Sequence, residues 1–249
     1  MSEPDPSRVL VLTAIPEERD AIAKRLAGKK VVVVATGDGP GNAARGATAA
    51  IERHRPAFLA GAGIAGALTP GLCVYDLIAS ARVLDARGEA PPPDRKLLEE
   101  ALAAKGVRAG TILTVERPAV TAGEKAELAA STGAPAVCDM ESAAWARAAA
   151  EKGLPYLILR AVSDTADEDL PRYLARCMNA EGGISRARVA LFALLHPTTI
   201  PQLLRMRRRV SECGERLGDV LQEFVGAALA AAPDHRAETS PAPTGLDSR

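Results

Sequence analysis

Residues 137–164 read VCDMESAAWARAAAEKGLPYLILRAVSD, and this stretch decides the fold. A short apolar run ends in acidic residues, an alanine-rich helical segment follows, and Gly153-Leu154-Pro155 ends that segment before a second apolar run. Such a strand–helix–strand unit is typical of α/β sheets. The unit places Asp139 and Glu141 just after its first strand and Asp164 at the close of its second.

Outward from this unit, the rest of the chain repeats the same alternation of short apolar runs and alanine-rich helical stretches. The pattern predicts an α/β protein with parallel strands. We predict strands at residues 9–15, 31–36, 57–63, 76–84, 109–115 and 156–163. We predict helices at residues 17–27, 41–54, 94–105, 121–131 and 141–152, several of which are followed by glycine.

The chain has 249 residues, a length that a single α/β domain commonly reaches. We predict an α/β core over residues 1–183. C-terminal helices over residues 184–231 should pack on this core or extend it. Residues 232–249 are rich in Pro, Ser, Thr and charge, a composition that predicts a disordered tail.

Composition excludes several classes of protein. Lys+Arg and Asp+Glu both total 31, so no overall field favours nucleic acid. The four cysteines form no CxxC pair, which argues against a metal site and a disulfide framework. No apolar run approaches the length of about 18 residues that a membrane span needs, and the N-terminus lacks a signal-peptide pattern. We therefore expect a cytoplasmic protein that binds no metal and no nucleic acid.

Two glycine-rich segments need separate interpretation. Residues 61–66, GAGIAG, match the GxGxxG pattern, but a dinucleotide-binding turn opens into a helix, and Pro70 and Gly71 would break one here. We instead expect these glycines to bring the backbone close to a ligand at a strand's end, with a tight turn that touches nothing as the alternative. The segment 37–42, GDGPGN, joins a strand to a helix, so its amides could line an anion site, or it could be a plain turn.

Three acids carry the chemistry. Glu18 follows the first strand in the opening turn of a helix, where an acid either complements the helix dipole or orients a nucleophile. Glu141 lies at a strand-to-helix junction, where it either caps the helix or accepts hydrogen bonds from ligand hydroxyls. Asp164 closes an apolar strand, where desolvation favours the neutral acid and suits it to donate a proton; a capping role is the alternative.

At these residues the chain resembles the nucleoside phosphorylase family that includes the methylthioadenosine/S-adenosylhomocysteine nucleosidases. The matching segments are residues 14–18 (AIPEE), residues 63–68 (GIAGAL) with Pro70 and Asp76, and Asp139-Met140-Glu141 followed by residues 160–164 (RAVSD). The resemblance implies a central mixed β-sheet flanked by helices. Within the family, the chain is most similar to the hopanoid-associated phosphorylases. The motifs that carry this similarity are DMES at residues 139–142 and HPTTIPQLL at residues 196–204.

The resemblance implies cleavage of the bond between a purine and ribose. Asp164 would protonate the departing base or hydrogen-bond to it, and Glu141 would grip the ribose hydroxyls, where a carboxylate also stabilises oxocarbenium character. Ser163 would orient Asp164. Met140 would pack against the sugar, and Asp139 and Gly63 complete the implied substrate site.

The sequence does not decide whether the nucleophile is phosphate or water. Phosphorolysis of adenosylhopane, with inorganic phosphate as co-substrate and no other cofactor, is what the closer resemblance implies. Arg160, Arg45 and the amide of Gly37 are candidates to hold phosphate, with Arg19 as a further one. Glu18 matches the acid that activates water in hydrolytic relatives, so a nucleosidase for methylthioadenosine, S-adenosylhomocysteine or a futalosine-like nucleoside is the alternative. A non-catalytic nucleotide-binding or membrane-associated protein is the alternative from another class.

The C-terminal helices carry apolar positions and a run of arginines, Arg205 and residues 207–209. Such a cluster is commonly a solvated face. With a lipid-linked nucleoside as substrate, it could instead rest on an anionic membrane, which would place the protein at the inner membrane surface. From the family we also expect a homo-oligomer.

Overall fold

The computed structural model describes residues 8–26, 30–171, 173–179 and 183–230. Its strands are β1 Val9–Thr13, β2 Val31–Ala35, β3 Phe58–Ala67, β4 Leu77–Asp85, β5 Gly88–Glu89, β6 Val107–Thr114, β7 Ala136–Asp139 and β8 Tyr156–Asp164. Its helices are α1 Pro16–Arg25, α2 Pro40–His54, α3 Arg95–Ala103, α4 Ala122–Ala129, α5 Ser142–Glu151, α6 Tyr173–Arg176, α7 Arg186–Leu195 and α8 Ile200–Ala230, with a 3-10 turn at Pro197–Thr199.

All eight strands form one mixed sheet, so the predicted α/β class with a central mixed sheet is confirmed. Strand β3 pairs in parallel with β1 and β8 and antiparallel with β7. Strand β6 then joins β7 to β4, and β4 pairs with β8, which closes a ring of five strands. This closure brings the ends of β7 and β8 to the same part of the sheet as β3.

Helices cover both faces of the sheet. Helices α2 and α5 pack over one face, where Trp145 is fully buried within the core. Helices α1, α3 and α8 pack over the other, where Leu217, Leu221 and Phe224 of α8 are buried. Burial of each such side chain contributes about 1.5–3 kcal/mol. The second half of α8 is therefore part of the core rather than an appendage.

The predicted strand at residues 57–63 ends too early. Strand β3 continues to Ala67, so all of residues 61–66 lie inside it rather than at its end. The sequence could not show this, because small residues give a weak strand signal. Their small size is what the packing requires: a Cβ at Gly61 would lie 2.7 Å from Cε3 of Trp145.

The segment Gly37–Asn42 forms the turn into α2. Gly37 and Gly39 both have positive φ, at 93° and 84°. The carboxylate of Asp38 accepts a hydrogen bond from the amide of Ile184, so this turn docks the chain that leads into α7. The predicted tail, residues 232–249, lies outside the described residues. None of the described helices is both long and apolar enough to cross a bilayer.

Candidate active site

A cavity of about 210 Å³ lies near the carboxyl ends of β1, β7 and β8 and against the second half of β3. Glu18, Glu141 and Asp164 all line it, so acids from three separate parts of the chain converge there. Aliphatic side chains form much of the remaining wall: Ile15, Ile64, Val115, Leu170, Leu174, Ile184, Met206 and Val210.

An ion-pair network beside the cavity is built on Asp139, which also lines the cavity, and Arg160, both buried. The guanidinium Nη2 of Arg160 lies 2.6 Å from Oδ2 of Asp139, and its Nε and Nη2 donate to the hydroxyl of Ser142. Asp139 also accepts hydrogen bonds from Thr114 Oγ1 and from the amides of Glu141 and Ser142. Asp139 therefore fixes the turn between β7 and α5, which presents Glu141 to the cavity.

Glu141 occupies the N-cap position of α5 and is 5% exposed. Its Oε1 accepts a hydrogen bond of 2.9 Å from the amide of Gly39, and its Oε2 lies 3.6 Å from Nη2 of Arg160. Burial raises the pKa of Glu141 to about 8, while the attraction of Arg160 opposes the rise and the charge of Asp139 adds to it. The acid is thus poised to change its charge near neutral pH.

This shift predicts how stability depends on pH. The pKa of Glu141 is higher in the folded chain than its ordinary 4.5, so its contribution to stability is lost as the pH rises between about 4.5 and 8. We expect Glu141→Gln to unfold like wild type near pH 4.5 and to be more stable than wild type at pH 8, because only wild type then carries the cost of ionising a buried acid. Urea unfolding at both pH values measures this.

The matched control for Glu141→Gln has the opposite sign. Glu124 caps α4 by accepting hydrogen bonds from the amides of Val120 and Thr121, and these bonds lower its pKa. Glu124→Gln should therefore lose stability relative to wild type as the pH rises from 4 to 8. Parallel pH curves for wild type and Glu141→Gln would contradict the prediction.

Glu18 is 2% exposed and joins α1 to β3. Its Oε2 accepts hydrogen bonds from the amides of Ala14 and Ile15, and its Oε1 accepts one of 2.9 Å from the amide of Ile64. Desolvation by burial raises the pKa of Glu18, against the lowering effects of Arg160 and of these amides. Glu18 thus lies in the first turn of α1, as the helix-dipole interpretation expects, and it also lines the cavity; its role in orienting a nucleophile stays a prediction.

Gly63 lies between Glu18 and Arg160, where no side chain fits. A Cβ at Gly63 would lie 2.8 Å from Oε1 of Glu18 and still closer to Nη1 of Arg160. The glycine lies just outside the cavity wall, which β3 builds from Ile64, Ala65 and Gly66. Only glycine fits at this position, because the side chains of Glu18 and Arg160 occupy the space that a Cβ would need.

We expect Gly63→Ala to lower the free energy of unfolding by about 1–3 kcal/mol, because the added methyl overpacks the buried side chains of Glu18 and Arg160. Gly226→Ala is the matched control, since a Cβ there meets nothing within 4 Å and the residue lies within α8. That change should be neutral or stabilise by up to about 1 kcal/mol. Thermal unfolding of both variants decides the matter, and equal stability would refute the steric account.

Asp164 is 3% exposed at the end of β8. The hydroxyl of Ser163 donates a hydrogen bond of 2.5 Å to its Oδ1, and Nζ of Lys125 lies 2.6 Å from its Oδ2. The sequence placed this acid in an apolar setting with Ser163 as its neighbour and without a charged partner. The buried ammonium is the difference, and it approaches the carboxyl from the side of α4.

Lys125 was missed as a site residue. It is fully buried, and Nζ donates to the carbonyl oxygens of Thr165 and Glu168, each at 2.7 Å. These bonds hold the loop that follows Asp164. A signal was present in the sequence, because a lysine on the same helical face as Leu128 and Ala129 occupies a position where apolar residues are usual.

We expect Lys125→Met to lower the free energy of unfolding by about 3–5 kcal/mol, because it leaves a buried carboxylate without its partner. Lys152→Met removes the same type of side chain from an exposed pair with Glu52, and should cost no more than about 1 kcal/mol. Chemical denaturation of both variants tests this. A loss at Lys125 as small as that at Lys152 would contradict it.

The start of α8 forms another part of the wall that sequence reasoning missed. Met206, Arg209 and Val210 line the cavity. The Nη1 of Arg209 donates to the carboxylate of Glu168 and to the carbonyl of Ser163, so this arginine turns inward and leaves the predicted solvated cluster. Met140 lies at the rim, half-buried, on the same wall as Glu141.

The residues predicted to hold phosphate either lie away from the cavity or already donate their hydrogen bonds to other protein groups. Arg160 is fully buried, with its donors directed to Ser142, Asp139 and the carbonyl of Ile64. The amide of Gly37 donates to the carbonyl of Ala14. Two further arginines, Arg45 and Arg19, are directed to neighbouring polar side chains on their own helices and do not line the cavity.

A larger open groove, of about 1000 Å³, lies beside this cavity and shares Val115, Pro118 and Ala119 with it. Its walls come from α2, α5 and the segment after β6. Glu18, Glu141 and Asp164 are not among the residues that line it. The smaller cavity is therefore the candidate active site, because it holds the buried acids.

The class of protein follows from the sheet and the site together: a mixed α/β fold that gathers three buried carboxyls at one small, largely aliphatic cavity. A family model described as "Phosphorylase superfamily" matches residues 11–194. The chain belongs to the phosphorylase superfamily. The narrower resemblance to hopanoid-associated phosphorylases stays a prediction.

Relatives and solved structures agree with this assignment. The chain is 32% identical over 191 residues to the 5′-methylthioadenosine/S-adenosylhomocysteine nucleosidase of Geobacillus thermodenitrificans, covering 65% of this chain and 81% of the relative. The fold matches the same type of nucleosidase from Helicobacter pylori with a TM-score of 0.68 at 16% identity, covering 89% of this chain and 98% of that one. A futalosine hydrolase structure from Helicobacter pylori matches with the same TM-score, identity and coverage.

Proposed function

We propose that this protein cleaves the N-glycosidic bond of an adenosyl nucleoside, with water as the nucleophile. The observation that carries the proposal is the convergence of Glu18, Glu141 and Asp164 on one cavity. The similar relatives named nucleosidases supply the substrate class. Each of these residues acts on one part of the reaction: the departing base, the sugar or the nucleophile.

At the base, the carboxylate of Asp164, which faces Lys125 in the structure, must first take up a proton, and it then donates that proton to the departing purine, which would otherwise leave as a poor anionic group. The hydroxyl of Ser163 fixes one oxygen of this carboxyl, and Lys125 contacts the other. Both contacts hold the carboxyl in one orientation. That preorganisation avoids reorientation as the bond breaks.

At the sugar, Glu141 accepts hydrogen bonds from the ribose hydroxyls while Met140 packs on the ring. As the bond from C1′ to the purine nitrogen stretches, positive charge develops on the ribose. The ionised form of Glu141 stabilises that charge in the transition state more than in the ground state, and the developing positive charge in turn favours ionisation of this acid. Aliphatic side chains such as Ile64 and Val210 surround the remaining surface of the nucleoside.

At the nucleophile, Glu18 takes the proton of a water molecule as its oxygen bonds to C1′. The bond to the purine breaks, and its electron pair leaves with the base, which receives a proton. The raised pKa of Glu18 suits a general base, because a base works best when its pKa is near the operating pH. Products are adenine and a free ribosyl compound.

Water is favoured over phosphate by the charges around the cavity. Four acidic residues line it, Glu18, Asp139, Glu141 and Asp164. Arg209 also lines it but is paired with Glu168, and Arg160 is paired with Asp139. A phosphate dianion would meet repulsion from Glu18 unless that acid were protonated. None of the predicted phosphate donors is directed into the cavity in the described residues.

Phosphorolysis of adenosylhopane is the second candidate. The aliphatic lining supports it, since it suits a hydrocarbon substituent better than a polar one. The cavity itself is smaller than sites of about 300–1,000 Å³ that enclose drug-sized ligands, so a polycyclic group would extend out of it. Inorganic phosphate would then be the co-substrate, and neither reaction requires another cofactor.

The deciding experiment follows free adenine from methylthioadenosine, S-adenosylhomocysteine and detergent-dispersed adenosylhopane, each with and without phosphate. Release that is equal without phosphate and yields no sugar phosphate supports hydrolysis. Release that requires phosphate and yields a sugar phosphate replaces it with phosphorolysis. No release from any adenosyl compound overturns both and leaves a binding protein.

Further expectations remain proposals of the same kind. A lipid-linked nucleoside, a homo-oligomer, and a cytoplasmic location with contact at the inner membrane surface are implied by the family resemblance and by the basic C-terminal helices. Sedimentation velocity tests the oligomer, and cell fractionation tests the location.

A further inference from the structure

The α7–α8 hairpin, residues 186–208, exposes an unusual amount of apolar surface. Six large hydrophobic side chains are exposed among the described residues, and five of them lie in this hairpin. Their exposed fractions are 57% for Leu191, 77% for Leu194, 66% for Leu195, 43% for Ile200 and 59% for Leu204. A cluster of this kind marks an interaction surface more often than a solvated one.

The hairpin has two apolar faces rather than one. Its inner face, including Val189, Phe192 and Leu203, packs against Tyr173 and Leu174. Leu191, Leu194 and Leu195 follow the spacing i, i+3, i+4 and therefore share a different face of α7, which meets solvent. Burial of the inner face contributes to folding. No contact within the described residues explains why the outer face is apolar.

Positive charge surrounds this outer face. Residues 183–211 contain six arginines and no Asp or Glu, in a chain whose formal net charge is zero. Arg205 and Arg207 are exposed, and Arg208 is exposed but forms an ion pair with Glu212, which follows directly after this segment. Along α8, the stripe that starts with Ile200 and Leu204 continues one turn later with Arg207 and Arg208, about 5–6 Å further along the axis. Leucine followed by arginine at this separation matches the step from acyl chains to phosphates in a bilayer.

The hairpin also borders the active site. Met206 belongs both to its inner apolar cluster and to the cavity wall, and Leu174 does the same. Arg209 and Val210, directly after the hairpin, line the cavity as well. Any external surface on which the hairpin docks would therefore lie close to the walls of the cavity.

We propose that the outer face of the α7–α8 hairpin docks on an anionic lipid bilayer. The leucines insert between the lipid chains at the interface, and the arginines contact the phosphate groups. A lipid surface fits better than nucleic acid, because the centre of the face is aliphatic, and better than a second copy, because the exposed Arg205 and Arg207 would approach the same arginines of the other copy across a symmetric contact. The docking is independent of which nucleophile the enzyme uses.

The test measures binding of the full chain to vesicles by flotation. Vesicles contain either phosphatidylcholine alone or phosphatidylcholine with about a third phosphatidylglycerol. We expect binding to the mixed vesicles, little binding to the neutral ones, and weakening as the salt concentration rises. Turnover of methylthioadenosine in solution is followed in parallel, so that a failure of docking and a failure of the proposed reaction are read separately.

Two sets of variants separate the two parts of the surface. Leu191→Gln with Leu194→Gln and Leu195→Gln should lower the vesicle partition coefficient at least about tenfold. Arg205→Gln with Arg207→Gln should lower it about thirtyfold on anionic vesicles, because each arginine near such a surface contributes about fivefold. Leu102→Gln on α3, at the remaining exposed large hydrophobic residue, is the control and should bind as wild type does.

All variants should keep the far-ultraviolet circular dichroism of wild type and its turnover of soluble nucleoside, because the substituted side chains are exposed and outside the cavity. No binding of wild type to anionic vesicles overturns the proposal. So does a leucine variant that binds like wild type. A dimer in sedimentation velocity that the leucine substitutions dissociate would assign the face to a second copy instead.

Discussion

Asp164→Asn should lower kcat for adenine release about a thousandfold, within the range that proton transfer to a leaving group contributes. The substitution keeps the shape of the side chain and removes its ability to protonate the purine. It also removes the negative charge that faces Lys125 at 2.6 Å. Because binding of the nucleoside relies on the whole cavity, KM should change far less than kcat. Steady-state kinetics with methylthioadenosine measures both constants.

Asp167→Asn is the control for this change. Asp167 is an exposed acid three residues further on, where it accepts a hydrogen bond from Thr165. It should retain wild-type kinetics. If Asp164→Asn kept more than about a tenth of wild-type kcat while folded, protonation of the purine would have to come from another group.

Glu18→Gln should also lower hydrolysis about a thousandfold, because glutamine cannot accept the proton of the attacking water. Its carbonyl oxygen can still accept the hydrogen bonds that Oε2 of Glu18 accepts from the amides of Ala14 and Ile15, while the bond from the amide of Ile64 to Oε1 is lost. The fold should survive on the bonds that remain, and circular dichroism checks the fold of the variant. For wild type, the rate should rise with pH as Glu18 loses its proton, at a pH above the ordinary range of glutamic acid.

The same variant separates the two nucleophiles. In phosphorolysis, removal of the negative charge of Glu18 would relieve repulsion of the phosphate dianion, so the phosphate-dependent rate should hold or rise. In hydrolysis, the rate should fall with or without phosphate. Glu17→Gln, at the exposed neighbour, is the matched control and should leave either rate unchanged.

Much of the fold could be predicted because strands that are buried on both faces of a sheet appear in the sequence as continuous apolar runs. Strand β8 is buried along nearly its whole length, and its continuous apolar run marks it in the sequence. Predicted strand and helix positions agree with those observed within a few residues, except where β3 extends through its glycines. There the strand signal is weak, since close contact with Trp145 and Arg160 selects glycine over the β-branched residues typical of strands.

By itself, the sequence determined the α/β class and the placing of Glu18, Glu141 and Asp164 at strand ends, because the period of apolar residues and the position of acids along the chain are local properties. Only the tertiary structure decided which side chains meet. Lys125 reaches Asp164 from a helix 39 residues earlier, and Arg209 turns inward to Glu168. Whether a charged side chain meets a partner depends on the register and closure of the whole sheet and on the packing of its helices, and neither leaves a periodic pattern in the neighbouring sequence.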